Sequence, residues 1–296
     1  MIDLRPGRLA RIGPPAALVA ALLAGWELYV RLSSISPLIL PAPSRVLAQL
    51  WIFRTEALRH LVPTVVEALV GLSIAVVIAV AVAAAMDRFT TLQRALAPVL
   101  VASQTVPVVA IAPLFILWFG FGLAPKVLIV VLVTFFPIVV ALLTGFAAVP
   151  SEAADLMRSY GAPPAVTFRK LRWPAALPSF FGGLRIAATY AVIGAVFGEY
   201  VGAREGLGIW MQLSQNAFRT DLVFAAIGLT ALVSVGLYVV VLGLERLVIP
   251  WHVSQRGSPS KERDVRVSEA HNDGPTFDQS DATRPAPDRP QQEDPQ

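Results

Sequence analysis

The chain has 296 residues, 55% of them hydrophobic and only 15% charged, with a formal net charge of +4. A soluble domain carries about 25% charged residues, so this surface is too apolar to be wetted throughout and most of it should face a lipid bilayer. With no Cys, disulfides, thiolate metal sites and iron–sulfur clusters are excluded; His60, His252 and His271 lie outside the apolar runs and offer no ligand to a haem or metal within a membrane.

A helix needs about 20 apolar residues to cross the hydrocarbon core. Six runs meet that length, at 14–30, 61–85, 96–119, 125–149, 179–201 and 222–250. The first follows Arg5, Arg8 and Arg11, but no small-x-small cleavage pattern comes after it, so it reads as an uncleaved membrane helix. Between the first two runs, "PSRVLAQLWIF" reads as a short amphipathic helix on the membrane surface. Lys and Arg are in excess at the N-terminus, after the second, fourth and sixth runs, which predicts both termini inside. These basic residues flank apolar runs, a pattern of membrane orientation rather than of nucleic-acid binding. Residues 1–60 thus form a first helix and surface helix, 61–251 a membrane core, and 252–296 a tail. The tail is rich in charge and proline, too poor in apolar residues to offset chain entropy, and is expected to be disordered.

Polar residues inside the runs need a reason, because charge at mid-bilayer costs roughly 2.5–3.5 kcal/mol on insertion scales. Glu67 sits two turns into the second run, where it can snorkel outward or line a path. Arg185 either snorkels inward, pairs within the bundle or lines the path. Glu199, near the outer end of the fifth run, suits an interfacial or a path-lining place. Ser103, Gln104 and Thr105 stand together before Pro107, where the helix is already disturbed. Gln104 and Thr105 are candidates to line a translocation path or to hydrogen-bond between helices. After Glu199, "GAREGLG" is turn-rich, and "IWMQLSQNAF" reads as a short outer helix, either a gate, a docking surface or a connector.

The hydrophilic loop 151–178 is the most structured of the connections. Pro150 stops the fourth span. Ser151 as N-cap, with Glu152 and Asp155 in the first turn, starts a helix well. Gly161 ends it, and Pro163 and Pro164 prevent its continuation. A second short helix, 166–173, brings Arg169, Lys170 and Arg172 back to the membrane, and Pro174 and Pro178 bracket the start of the fifth span. The expected object is a stiff helix–turn–helix knob, with Glu152, Asp155, Arg158 and Tyr160 as polar contacts and Leu156 and Met157 as apolar anchors.

This loop resembles the cytoplasmic EAA loop of ABC importer permeases, whose pattern is EAA---G---------I-LP. The register that fits begins at Asp155, places Gly161 at the Gly and Pro174 at the Pro, and puts Leu171 and Trp173 at the Ile and Leu positions. The letters "EAA" at 152–154 are out of that register. "SQTVPVVAIAPLFILWFGFG", "FFPIVVALLTG", "PAALPSFFGGLRIA" and "GEYVGAREGLGIWM" resemble one subgroup, the permeases for sulfonates, taurine, nitrate and thiamine-precursor pyrimidines. The resemblance implies an all-α, six-helix type I ABC importer bundle. Glu152, Asp155, Arg158, Tyr160, Gly161 and Pro174 would couple it to a separate ATPase, present in two copies. It further implies a paired permease, a soluble solute-binding protein, and no cofactor. A thiamine-precursor pyrimidine or similar heteroaromatic is the favoured cargo, ahead of sulfonate, taurine or nitrate. The chain has no GxxxxGK[ST], and its only Lys are Lys126, Lys170 and Lys261, so it has no P-loop of its own. A secondary transporter would need carboxylate relays deep in the spans, and an intramembrane enzyme would need a catalytic cluster. The first finds only Glu67 and the second finds none in the sequence.

Overall fold

A computed structural model describes residues 9–33 and 35–250; the expected tail at 252–296 lies outside the described residues. Among them, every regular element is helical. Helix α1 spans Leu9–Leu32, α2 Pro43–Ile52, α3 Arg54–Arg88, α4 Thr90–Ser103, α5 Val108–Phe119 and α6 Leu123–Ala147. Then come α7 (Ser151–Ser159), α8 (Pro164–Thr167), a π-helical stretch (Phe168–Arg172), α9 (Trp173–Gly202), α10 (Leu207–Asn216) and α11 (Thr220–Val248).

Among the described residues, five helical segments are long and apolar enough to cross a membrane: Gly13–Leu32, Arg54–Arg88, Leu123–Ala147, Pro164–Gly202 and Thr220–Val248. The expected third span, 96–119, is not a single helix. It is α4 and α5, 14 and 12 residues long, hence about 21 and 18 Å against a hydrocarbon core of about 30 Å. The break falls at Gln104–Pro107. Pro107 has no N–H to give the helix and disfavours helical backbone at Val106. The Ser103 and Thr105 hydroxyls donate to the carbonyls of Leu100 and Ala102, both at 2.8 Å, and stabilise the tight turn.

The centre of the bundle is α6, packed against α9 and α3, with α11 on α9. Small residues let these backbones approach. A Cβ at Gly71 would lie 2.5 Å from Val130 Cβ, one at Gly183 2.7 Å from the Pro137 carbonyl oxygen, and one at Gly145 2.8 Å from Ala176 Cα. In lipid, where apolar side chains gain little by leaving hydrocarbon, this close packing is what holds helices together. The core it encloses runs from Ala68, Ala75 and Ala79 through Ile138 and Leu142 to Ala187 and Ala191. Outward faces are apolar: Leu22, Leu117, Leu232 and Leu247 are all exposed, as a lipid-facing surface requires and an aqueous one would not tolerate.

Two further expectations are corrected. Pro174 and Pro178 do not break the chain at the start of the fifth span; helix runs without interruption from Pro164 to Gly202. The π-helical stretch is the reason: the Trp173 N–H reaches back to the Phe168 carbonyl, and the wider turn accommodates a proline ring that would collide in a regular α-turn. The second span begins at Arg54 rather than Leu61, so His60 belongs to α3 and is buried. The expected surface helix is present as α2 and rests on α11.

Candidate functional site

The bundle has two polar ends, named here for the short helices they carry. At the α7 end, Pro150 rather than Ser151 is the N-cap of α7, with no side-chain cap, and Glu152 is the acid of its first turn. Asp155 falls in the second turn and pairs with Arg158. Gly161 ends α7 at φ +72°. Its N–H bonds to the Arg158 carbonyl at 2.8 Å, and the Ala162 N–H to the Met157 carbonyl at 3.0 Å. These are the two crossed bonds of a Schellman cap, and they need a left-handed residue at 161. Glu152, Asp155, Arg158 and Tyr160 are all exposed, Tyr160 by 83%. Leu156 is exposed as well, so the expected apolar anchor is Met157 with Ala153 and Ala154 instead. Pro174 is half-buried in the first turn of α9.

Behind the knob lies a groove of ≈ 770 Å³, bounded by Ala84, Asp87, Arg88, Ala154, Arg158 and Phe168 among others. Arg172 pairs with Asp87 and ties the root of α9 to the last turn of α3. Tilted ring pairs adjoin the groove at Phe168, Phe146 to Phe168 at 5.5 Å and Phe168 to Trp173 at 6.3 Å. The knob is therefore largely exposed, and its Ala154 and Arg158 line the same groove as Phe168.

Midway along the bundle, a cavity of ≈ 470 Å³ opens between α6 and α9, opposite the α4–α5 break. Gln104, Phe136, Thr144, Ser179, Ile186 and Tyr190 are on its wall. Thr105 is exposed beside the break but is not on that wall. Arg185 is half-buried, donates to the Phe181 carbonyl at 3.3 Å and stands 3.5 Å from Glu245 of α11. It is held within the bundle.

The α10 end holds what sequence reasoning missed. Glu67 does not snorkel outward; it is buried, and its Oε1 takes a hydrogen bond from Lys126 Nζ at 2.6 Å. Lys126 lies in the first turn of α6, buried, not in a loop. Glu199 is 0% exposed. It accepts from Thr64 Oγ1 at 2.5 Å and from the Gly208 N–H at 2.6 Å. Thr64 Oγ1 in turn accepts the Leu207 N–H at 2.9 Å, and His60 Nδ1 the Gly206 N–H at 3.1 Å. The His60 ring stacks on Trp210 at 6.0 Å. Four elements, α3, α6, α9 and α10, thus meet on one buried network. Removing one partner of such a buried pair costs about 3–5 kcal/mol, because the other charge is left uncompensated. The signal that could have found it was Glu67 and Lys126 lying at the same predicted end of the second and fourth spans. Buried carboxylates among the described residues number more than the one expected from sequence: Glu67, Glu199, Asp221 and Glu245. Each has a partner within the bundle.

Residues 75–251 match the family described as binding-protein-dependent transport system inner membrane component. The riboflavin transport system permease of Chloroflexus aurantiacus is 39% identical over 82% of this chain and 91% of its own length. The formylaminopyrimidine transport permease of Halalkalibacterium halodurans is 36% identical over 81% and 96%. The taurine transport system permease of Escherichia coli is 32% identical over 79% and 88%. Multi-pass in the cell membrane, with a family match over residues 75–251 and relatives aligned along nearly their full length, the chain belongs to the ABC-importer permease family, as the non-catalytic membrane subunit of a binding-protein-dependent transport system.

Proposed function

We propose that this permease carries a small neutral heteroaromatic solute, of the pyrimidine or flavin class, inward by alternating access. The observation that carries the reading is the wall of the mid-bundle cavity. It joins aromatic and aliphatic side chains, Phe136, Tyr190 and Ile186, to a few uncharged hydrogen-bonding groups, Gln104, Thr144 and Ser179, with no charged residue. Flat aromatic faces suit such a ring solute, and the amide and hydroxyls suit its ring nitrogens and oxygens. A sulfonate would call for Arg or Lys there, and Arg185 is occupied by Glu245. The relatives at 39% and 36% identity, named for riboflavin and formylaminopyrimidine, support the same class over taurine at 32%.

In this reading the termini and the α7 knob are inside, and two copies of the permease pair over two ATPase subunits. A soluble binding protein delivers solute to the α10 end. Glu152, Asp155, Arg158 and Tyr160 meet the ATPase, and Gly161 and Pro174 shape the knob that transmits its motion. Gln104 lines the path, with Thr105 beside it. The test is uptake by cells expressing the complete transporter. Unlabelled formylaminopyrimidine or riboflavin should compete with the transported solute and taurine should not; Tyr190→Ala should weaken uptake of the ring solute. Competition by taurine alone overturns the cargo. Uptake that survives ATP depletion with the proton gradient intact overturns the ABC mechanism in favour of an ion-driven carrier.

A further inference from the structure

We infer that Glu67, Lys126, Glu199, Thr64 and His60 are positioning residues that clamp α10 to α3, α6 and α9, so that this lip moves with the three helices as one body throughout the transport cycle. The inference rests on the alternating-access reading above and says which part of the subunit does not deform during it.

Three observations carry it. The contacts at the α10 end cross between elements far apart in sequence. Glu67 to Lys126 joins α3 to α6, Thr64 to Glu199 joins α3 to α9, and the Gly206, Leu207 and Gly208 N–H groups fasten the start of α10 to α3 and α9. All of these polar groups are buried, so water cannot replace a broken bond as the helices part. Second, the backbones around the network interlock. A Cβ at Gly206 would lie 2.2 Å from Glu199 Cδ, one at Gly208 2.4 Å from the Val196 carbonyl oxygen, and one at Gly198 3.1 Å from Lys126 Cα. Sliding one element past another would drive backbone into side chain. Third, two regions among the described residues, the α4–α5 break and the α7 knob, lack such ties. The Gln104–Pro107 break is exposed, and its side-chain hydrogen bonds at Ser103 and Thr105 stay within the turn. The knob α7 is held by a local pair, Asp155 with Arg158. Rearrangement is thereby assigned to those regions and to the contact between subunits, and the α10 lip is carried along.

The lack of Cys makes site-directed spin labelling direct. In the assembled complex, one pair of labels at Leu58→Cys and Leu213→Cys, both exposed positions, reads the α3–α10 distance. Labels at Leu117→Cys in the two copies read the cycle. Between nucleotide-free and ATP-trapped states, the Leu117 distance should change and the Leu58–Leu213 distance should not. A shift of the Leu58–Leu213 distance overturns the clamp. If no distance changes in a complex that still transports, the alternating-access reading is what fails, and the clamp falls with it. A charge swap gives the second measurement. Lys126→Glu should lower solute moved per ATP hydrolysed by at least about tenfold, through an uncompensated buried charge. Adding Glu67→Lys should restore most of it, while ATPase co-purification stays normal throughout. Folded single variants with an unaltered ratio, or a folded swap that restores nothing, refute the role. Where the single variants do not fold, the wild-type distances decide.

Discussion

The two ends of the bundle use charge in opposite ways. At the α7 end, Asp155 and Arg158 form an i,i+3 pair in which both side chains are mostly exposed, and Glu152 and Tyr160 are exposed. At the α10 end, Lys126, Glu67 and Glu199 are buried and bonded across four elements. Exposed pairs contribute roughly 0–1 kcal/mol to stability, whereas a buried charge stripped of its partner costs several. Charge at the α7 end is therefore available for contact with another molecule, and charge at the α10 end is committed to the fold. The difference separates a surface that can be remodelled from one that cannot.

The largest effect should come from breaking the buried side. Lys126→Ala leaves Glu67 unpaired in an apolar bundle and should lower stability by about 3–5 kcal/mol, read as the unfolding midpoint of the purified protein. Gly206→Ala should follow closely. Its φ is +137° and a Cβ would sit 2.2 Å from Glu199 Cδ, so it brings backbone strain and a collision together, costing about 2–4 kcal/mol. Stability equal to wild type in both variants would erase the contrast between the ends.

Gly161→Val tests the exposed side with the steric factor removed. Nothing lies within 4 Å of a Cβ built there, and only the φ of +72° opposes a side chain. The cost in stability should be about 1–2 kcal/mol, less than for Gly206→Ala, yet uptake should fall strongly because the exit of the knob is reshaped. Asp155→Lys sharpens this further. It removes an exposed pair, so the stability change should be within about 0.5 kcal/mol, while uptake and ATPase co-purification both drop. Wild-type uptake in the two variants would remove α7 from the coupling role.

The sequence made some of this legible and hid the rest for physical reasons. Five spans could be read because length and apolarity are local properties, and each is a long helix. The Gly161 stop was readable because a left-handed cap is decided by one residue and its neighbours. The break at Gln104–Pro107 was half-visible: the polar triplet and the proline signalled a disturbance, but the apolar residues on both sides averaged it into one span. The continuity through Pro174 was hidden because a single π-turn, which no sequence pattern announces, absorbs the proline. The buried network was hidden most deeply. Its partners are 59 and 135 residues apart in sequence, and each acid taken alone looks like a snorkelling residue near a helix end. Even "GEYVGAREGLG" did not disclose that its last two glycines lie against the Glu199 side chain. That is a property of the fold, where Gly206 and Gly208 have no room for a side chain.

The smallest effect lies at the rim of the α10 end and refines the comparison, since an exposed pair occurs there too. Arg59 donates to Glu205 Oε1 through Nε at 2.9 Å and Nη2 at 2.6 Å. The hydrogen bond from Arg59, and then its charge, hold the Glu205 carboxyl below its ordinary value of 4.5. The sign follows from that direction. A carboxyl with a depressed folded-state pKa adds stability that is fully present above the unfolded value and is lost as pH falls through the folded value. Because the pair is exposed, the gain is screened by solvent and salt. Arg59→Gln should therefore leave the unfolding midpoint near wild type at neutral pH and slightly flatten its decline below about pH 4.5. Raising the salt concentration should have the same effect on the wild-type protein. A midpoint loss as large as that of Lys126→Ala would mean that exposure does not set the worth of a pair at this end, and burial would no longer explain why the two ends differ.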